Sequence, residues 1–336
     1  MKRILYMLKR ICEMDFSAMF KTAKRVSKAN NAYFIPVLID IIHCGLKYMA
    51  GYVDYEVFDF YNLTKSQRET IITRGVNNLF VSTLNDKNYT NLLDNKLLFN
   101  ETFNDYLKRD WINIEGSSYQ QFEKFVQNKT AIIAKPVNLS CGRNIEKIII
   151  TKDLDLKKTF SSLIENKQFL LEDYIVQHEN MSKLYPIAVN TLRIVTITKN
   201  SKVHIMFRSM RMGNSGNVVD NFNHGGLFTT IDKDGVIRKP AVDKSGNIYE
   251  IHPFTGTKIL NFKIPFFKET IEYVKEMALK IPEVAYVGWD IAITDSGPLV
   301  IEANPFPGHD IYQSKIHMNE DGTGMRKVFE HIISDS

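Results

Sequence analysis

Two short apolar runs near the C-terminus constrain this chain most. Trp289-Asp290-Ile291-Ala292-Ile293-Thr294 and Val300-Ile301-Glu302-Ala303-Asn304-Pro305 read as strands joined by a turn at Asp295-Ser296-Gly297. Side chains alternate along a strand, so Glu302 and Asn304 point to one face, and the hairpin brings Asp290 beside them. Three oxygen ligands converge on one spot. Mg²⁺ takes a few such ligands and leaves its other positions to phosphate oxygens and water. The plain alternative is a solvated strand end, since Asn-Pro is itself a turn signal. The apolar neighbours Ile291, Ala292, Leu299, Val300 and Ile301 weigh against it, because a charge among them needs a partner or a metal.

The chain has 336 residues, 44% apolar and 24% charged, ordinary values for a soluble globular protein of two or three domains. A formal charge of +5 fits anionic small ligands or a loose preference for membrane surfaces. No RNP-like, zinc-finger or basic-helix signature is present, so nucleic acid is not an expected partner. Cys12, Cys44 and Cys141 are odd in number and widely spaced, as free thiols of a reducing compartment are.

The first ten residues are basic and apolar, but the apolar run is too short and interrupted for a signal peptide. Residues 34–53 are rich in Ile, Val, Leu and Tyr, and Asp40, His43 and Lys47 interrupt them. A spanning helix needs about twenty mostly apolar residues, so a buried helix is the first reading and an interfacial one the second. The expected location is the cytoplasm, with the inner face of the membrane as the alternative.

Three parts are expected: residues 1–90 mainly helical, 91–176 with a phosphate loop, and 177–336 with the metal-bearing strands. Thr64 is a candidate N-cap. A helix is predicted from about Asp94 to Leu107 and another over 153–166. Strands are predicted at 130–135, 147–150, 168–172, 191–198, 203–210 and 226–231. Residues 265–280 read as an amphipathic helix. The class is α+β with mixed sheets.

Lys135 ends a short apolar strand before the loop Val137 to Asn144, which holds Ser140, Cys141, Gly142 and Arg143. A lysine beside a loop whose N–H groups can nest suits a phosphate. The alternative is a surface lysine before a hairpin. Glu172 and Asp173 close the next strand, whose end offers backbone groups to a base or is simply acidic. Arg193 sits in a β-branched strand, sharing a face with Thr191, and needs an anion: a phosphate, a substrate carboxylate or a structural Glu. Arg208 and Arg211 lie on the neighbouring strand. Asp220-Asn221-Phe222-Asn223-His224-Gly225-Gly226 allows close backbone approach to a ligand, or is a tight turn.

Taken in order, these stretches resemble the ATP-grasp superfamily, and most closely the sugar-transfer-associated ATP-grasp family of bacterial polysaccharide gene clusters. The matching segments are D-N-K-L-L-F, A-K-P-V-N-L-S-C-G-R-N-I, L-L-E-D-Y-I, N-T-L-R-I-V-T, D-N-F-N-H-G-G and G-W-D-I-A-I-T with G-P-L-V-I-E-A-N-P. They span roughly residues 94–310, and six ordered motifs are far more specific than any one. The resemblance implies two α+β subdomains gripping ATP. Lys96 and Lys135 would contact phosphates, and the 137–144 loop, with Ser140, Gly142 and Arg143, would close over them. Glu172, Asp173 and Ile175 would lie at the adenine edge. Asp290, Glu302 and Asn304 would hold one or two Mg²⁺ ions, Arg193 would steady the γ-phosphate or an acyl phosphate, and Asp220 and Asn221 would contact substrate or phosphate.

The implied reaction joins a small-molecule carboxylate, activated by ATP as an acyl phosphate, to an amine. The setting it implies is a cell-surface polysaccharide or its sugar precursor. Two rivals use the same fold: a kinase acting on a sugar or alcohol, and a nucleotide-binding scaffold for glycosyltransferases. Asp290 with E-x-N alone also fits a two-metal nuclease, which the modest charge and the lack of an aromatic-basic groove oppose. Two features depart from the family pattern. Residues 1–85 do not read as an α/β domain, and the loop after Lys135 has a single glycine.

Overall fold

The computed structural model describes residues 15–137, 144–216 and 225–334. The chain forms two compact units: Met1–Leu84 with Gly308–Ser336, and Asn85–Pro307. Residues 308–336, grouped by sequence with the metal-bearing strands, thus belong to the helical unit.

The helical unit contains α1 (Phe16–Ala29), α2 (Phe34–Tyr48), α3 (Tyr52–Val57), α4 (Lys65–Arg68) and α5 (Arg74–Leu84), with a C-terminal helix at Arg326–Ser334. Thr64 caps α4 in a reciprocal box with Gln67, as its sequence predicts. Met19, Ala23, Val26, Val37, Ile41, Tyr48, Tyr55, Phe58 and Phe60 form its core. Asp40, which interrupts the apolar run of α2, takes a two-toothed ion pair from Arg68 and a hydrogen bond from Tyr55. Cys44 is a buried free thiol beside this group, and burial pushes its pKa up to about 12.

The second unit holds α6 (Asn91–Asp94), α7 (Lys96–Thr102), α8 (Asn104–Leu107), α9 (Tyr119–Val126), α10 (Leu156–Glu165), α11 (Glu179–Leu184) and α12 (Phe267–Leu279). The helix expected over 94–107 is two pieces that break at Phe103. Its strands are β1 (Trp111–Asn113), β2 (Ala131–Lys135), β3 (Glu146–Ile149), β4 (Leu170–Asp173), β5 (Thr191–Lys199), β6 (Lys202–Met212), β7 (Leu227–Thr230), β8 (Ala241–Val242), β9 (Ile248–Tyr249), β10 (Tyr286–Thr294) and β11 (Gly297–Asn304).

Two sheets result, ordered β1-β4-β2-β3 and β11-β10-β5-β6-β7-β8-β9. Among the described residues every strand pair is antiparallel, which corrects the expected mixed sheets. Hairpin-connected strands need no crossover helix, and antiparallel pairing is what short turns allow. The β10–β11 turn is one: Gly297 takes φ +96°, a left-handed position that a Cβ resists.

Each sheet has an apolar face and a polar face. On the smaller sheet Ile132, Ala134, Ile148 and Leu171 pack with Phe122 and Val126 of α9 and Leu163 of α10. On the larger sheet Leu192, Ile194, Met210, Trp289, Ile291 and Ile293 pack with Tyr273, Val274 and Met277 of α12. Strand alternation sends the intervening residues to the other faces, where the candidate site residues stand.

Candidate functional site

The polar face of the larger sheet is organised by register. Ser209, Arg193, Asp290 and Glu302 stand in one row across β6, β5, β10 and β11. Asn304 pairs with Gly288, two residues from that row and on the same face as Glu302. The predicted metal set is therefore gathered on one face, and Arg193 is gathered with it.

The partner of Arg193 is Asp290. Arg193 Nε donates to Asp290 Oδ1, Nη2 donates to Oδ2 at 2.6 Å, and Arg211 Nη1 reaches Oδ2 at 3.2 Å. Arg208, three residues from Arg211, falls on the opposite face of β6. Burial works against ionisation of Asp290, but the charges of Arg193 and Arg211 outweigh it and hold its pKa below the usual carboxylate range. Asp290 is buried, whereas Glu302 is open to solvent though protein packs around it. Burial and the Asp290 charge raise the Glu302 pKa, with Arg193, Lys135 and Lys96 pulling the other way. Asn304 turns Oδ1 to the N–H of Phe306 at 2.8 Å.

Glycine at 288 has a specific reason. A Cβ there would lie 3.1 Å from Arg193 Nη1 and 3.2 Å from its Cδ. The absence of a side chain on β10 leaves the lane along which Arg193 reaches Asp290.

On the smaller sheet Glu172 pairs with Ile133, placing it diagonally beside Lys135 on one face. Lys135 forms an ion pair with Glu172 Oε2. Arg109 Nη2 and Asn100 Nδ2 donate to Oε1 at 2.7 and 2.9 Å. Glu172 is buried, and despite burial these charges hold its pKa far below the carboxylate range. The Glu172 side chain is thus occupied by protein donors, which leaves backbone groups to meet a base. Arg109 also donates to the carbonyl of Val300 on β11 at 2.5 Å, tying the two sheets together.

Lys96 begins α7 behind Asn95, whose side chain caps Leu97 and Leu98. Burial and the Lys135 charge lower its pKa, while Glu302 and Glu172 oppose that shift. Lys96, Lys135, Glu172 and Glu302 therefore share one electrostatic neighbourhood.

Asp173 is not gathered there. It follows Glu172 in β4 and points to the other face, where it pairs with Lys129 at 2.5 Å and accepts the N–H of Asp110 at 3.0 Å. Ile175 lies just past β4 and is half-buried. Ser140, Gly142, Arg143, Asp220 and Asn221 lie outside the described residues, as do Cys12, Cys141 and His224. Sequence reasoning did not single out Asn100, Arg109 or Gly288. Arg109 had one visible signal, a basic residue two positions before a strand that opens on Trp111.

Among curated proteins no match is found. Among solved structures the chain is similar to a D-alanine–D-alanine ligase from Bacillus anthracis, with 12% identity, a TM-score of 0.40, and 72% of this chain and 66% of that one covered. It is similar to D-alanyl-alanine synthetase A from Vibrio cholerae, with 12% identity, a TM-score of 0.43, and coverage of 71% and 63%. An N5-carboxyaminoimidazole synthetase from Staphylococcus aureus complexed with ADP aligns at 15% identity and a TM-score of 0.42, covering 65% and 46%. The matched part spans less than two thirds of each of these chains. A profile of the sugar-transfer associated ATP-grasp family matches residues 75–331, about three quarters of the sequence. The chain belongs to the sugar-transfer associated ATP-grasp family.

Proposed function

We propose that this protein is an ATP-dependent carboxylate–amine ligase that works through an acyl phosphate, on a cell-surface polysaccharide or its sugar precursor. The observation that carries the reading is the row Arg193–Asp290–Glu302 with Asn304 beside it, electrostatically linked to Lys96 and Lys135. The family to which the chain belongs is associated with sugar transfer.

The residues fit a magnesium–nucleotide better than a bare cation. Glu302 is reached by solvent, its raised pKa reflects burial and then the nearby Asp290 carboxylate, and Asn304 lies on the same face. Asp290 already accepts from Arg193 and Arg211, so only its remaining lone pairs are open. Arg193, Arg211, Lys96, Lys135 and Arg109 outnumber Asp290, Glu302 and Glu172, and a divalent cation alone would add to that excess. A polyphosphate arriving with it offsets the charge. Mg²⁺ bound there would neutralise charge building on the β- and γ-phosphates.

The chain's own residues then have distinct roles. Lys96 and Lys135 hold phosphates. Arg193, released in part from Asp290, steadies the transferring phosphoryl group. A carboxylate oxygen of the substrate attacks the γ-phosphorus and ADP leaves. The amine attacks the acyl carbon, and phosphate departs with the former carboxylate oxygen. No protein nucleophile is needed. Under this reading the carboxylate and amine are small molecules, sugar-linked on at least one side, and the enzyme works in the cytoplasm near the membrane.

The test is ADP release from Mg-ATP against a panel of uronic acids, amino acids and amines. Release that requires both a carboxylate and an amine supports the ligase. A phosphorylated sugar formed without an amine would replace it with the kinase reading.

A further inference from the structure

We propose that the outer face of α2, flanked by the basic side of α1, docks on an anionic lipid surface. The claim is independent of the ligase reading. At about 100° per residue, Ile35, Ile39, Ile42 and Leu46 fall within a sector of about 60° on α2. That sector lies opposite the buried Val37, Ile41, Cys44 and Tyr48. The four are 58%, 61%, 46% and 50% exposed, so one side of an otherwise well-packed helix presents aliphatic carbon to water. A helix apolar on both sides is normally buried on both, and a contiguous apolar strip of this kind marks an interaction site.

Charge selects the occupant. Helix α1 carries Lys21, Lys24, Arg25 and Lys28, all exposed, and no acidic residue, and Arg25 is ion-paired with Glu56 of α3. Its exposed Phe20 stands between its buried face and those lysines, one turn after the exposed Phe16, and the Phe20 ring stacks on Phe34 of α2 at 6.2 Å. The aromatic edge of α1 therefore runs onto the start of α2, beside Tyr33, which is 86% exposed. The other rim of the aliphatic strip holds His43 and Lys47, the latter 3.5 Å from Glu69. Aliphatic and aromatic side chains bordered by lysines are the composition that sits at a lipid headgroup boundary. A second copy on this face would bring lysine rims together, which like charge opposes. At 15 residues α2 is too short to span a bilayer, and no described helix is long and apolar enough to do so.

The experiment is co-sedimentation of the full chain with phosphatidylcholine vesicles, with and without phosphatidylglycerol. Wild type is expected to bind the phosphatidylglycerol vesicles and to be released by high salt. Ile39→Glu with Ile42→Glu should weaken partitioning by about a hundredfold, roughly tenfold per isoleucine. Lys21→Glu with Lys24→Glu and Lys28→Glu should remove the preference for phosphatidylglycerol. Unchanged circular dichroism and melting of these surface variants would show that they fold. No binding by wild type overturns the proposal. So does undiminished binding by Ile39→Glu/Ile42→Glu, or a wild-type dimer in light scattering that this variant dissolves.

Discussion

Asp290 and Arg193 stand directly opposite each other across β10 and β5, and their side chains close a buried two-toothed ion pair. Arg211 adds a third donor to the same carboxylate. This ion pair stands in the same cross-strand row as Glu302.

Removing the anion leaves two arginines in a largely buried place. Asp290→Ala should lower stability by about 3–5 kcal/mol, the usual cost of stranding one half of a buried pair. Arg193→Met combined with Asp290→Leu should recover much of that loss while leaving no ATP turnover. Urea unfolding of Asp290→Ala and of the double variant measures it.

Glu172 should make the protein acid-sensitive. Its folded pKa is depressed, so its stabilisation is full above the unfolded carboxylate value of about 4.3 and is lost as pH falls through the folded value. Glu172→Gln should cost about 3–5 kcal/mol at neutral pH, since Arg109 and Lys135 lose their anion. The same change should flatten the acidic limb of the stability profile. Denaturation across acidic pH checks both.

Glu302 works in the opposite direction. Its folded pKa is raised, so its protonated form stabilises the fold at low pH and that contribution fades as pH rises through the folded value. A magnesium–nucleotide needs the ionised form. Mg-ATP affinity should therefore strengthen as pH rises through the folded value of Glu302, and Glu302→Gln should bind weakly with little pH dependence. Calorimetric titration of Mg-ATP at several pH values reads the slope, and a flat wild-type profile would contradict the assignment.

Gly288→Ala tests the lane for Arg193. The added Cβ is too close to the guanidinium and to Cδ, and both are held by the bond to Asp290. Overpacking of this kind costs about 1–3 kcal/mol. A displacement of a few tenths of an ångström should slow ADP release roughly tenfold. Gly288→Ala with wild-type turnover would show that Arg193 adjusts freely.

Much of this was legible in the sequence because it rests on local periodicity. The β10–β11 hairpin follows from alternating apolar residues and an Asp-Ser-Gly turn, and Thr64 announces its own cap. Pairing between distant strands was not legible. Arg193 could face a phosphate or a carboxylate until register set it against Asp290. Glu172 read as an acidic strand end, yet the β2–β4 register turns it into the partner of Lys135. Asp173, its neighbour, is sent to the other face by the same alternation. Arg109 and Asn100 lie more than sixty residues from Glu172, and no short motif joins them.

The most direct test follows an oxygen atom. A panel carboxylate that supports amine-dependent ADP release is labelled with ¹⁸O in both carboxylate positions, and the inorganic phosphate is examined by mass spectrometry. Transfer of one ¹⁸O into phosphate for each amide formed is the predicted result. Phosphate without the label, alongside full product, would contradict an acyl phosphate and with it the ligase account.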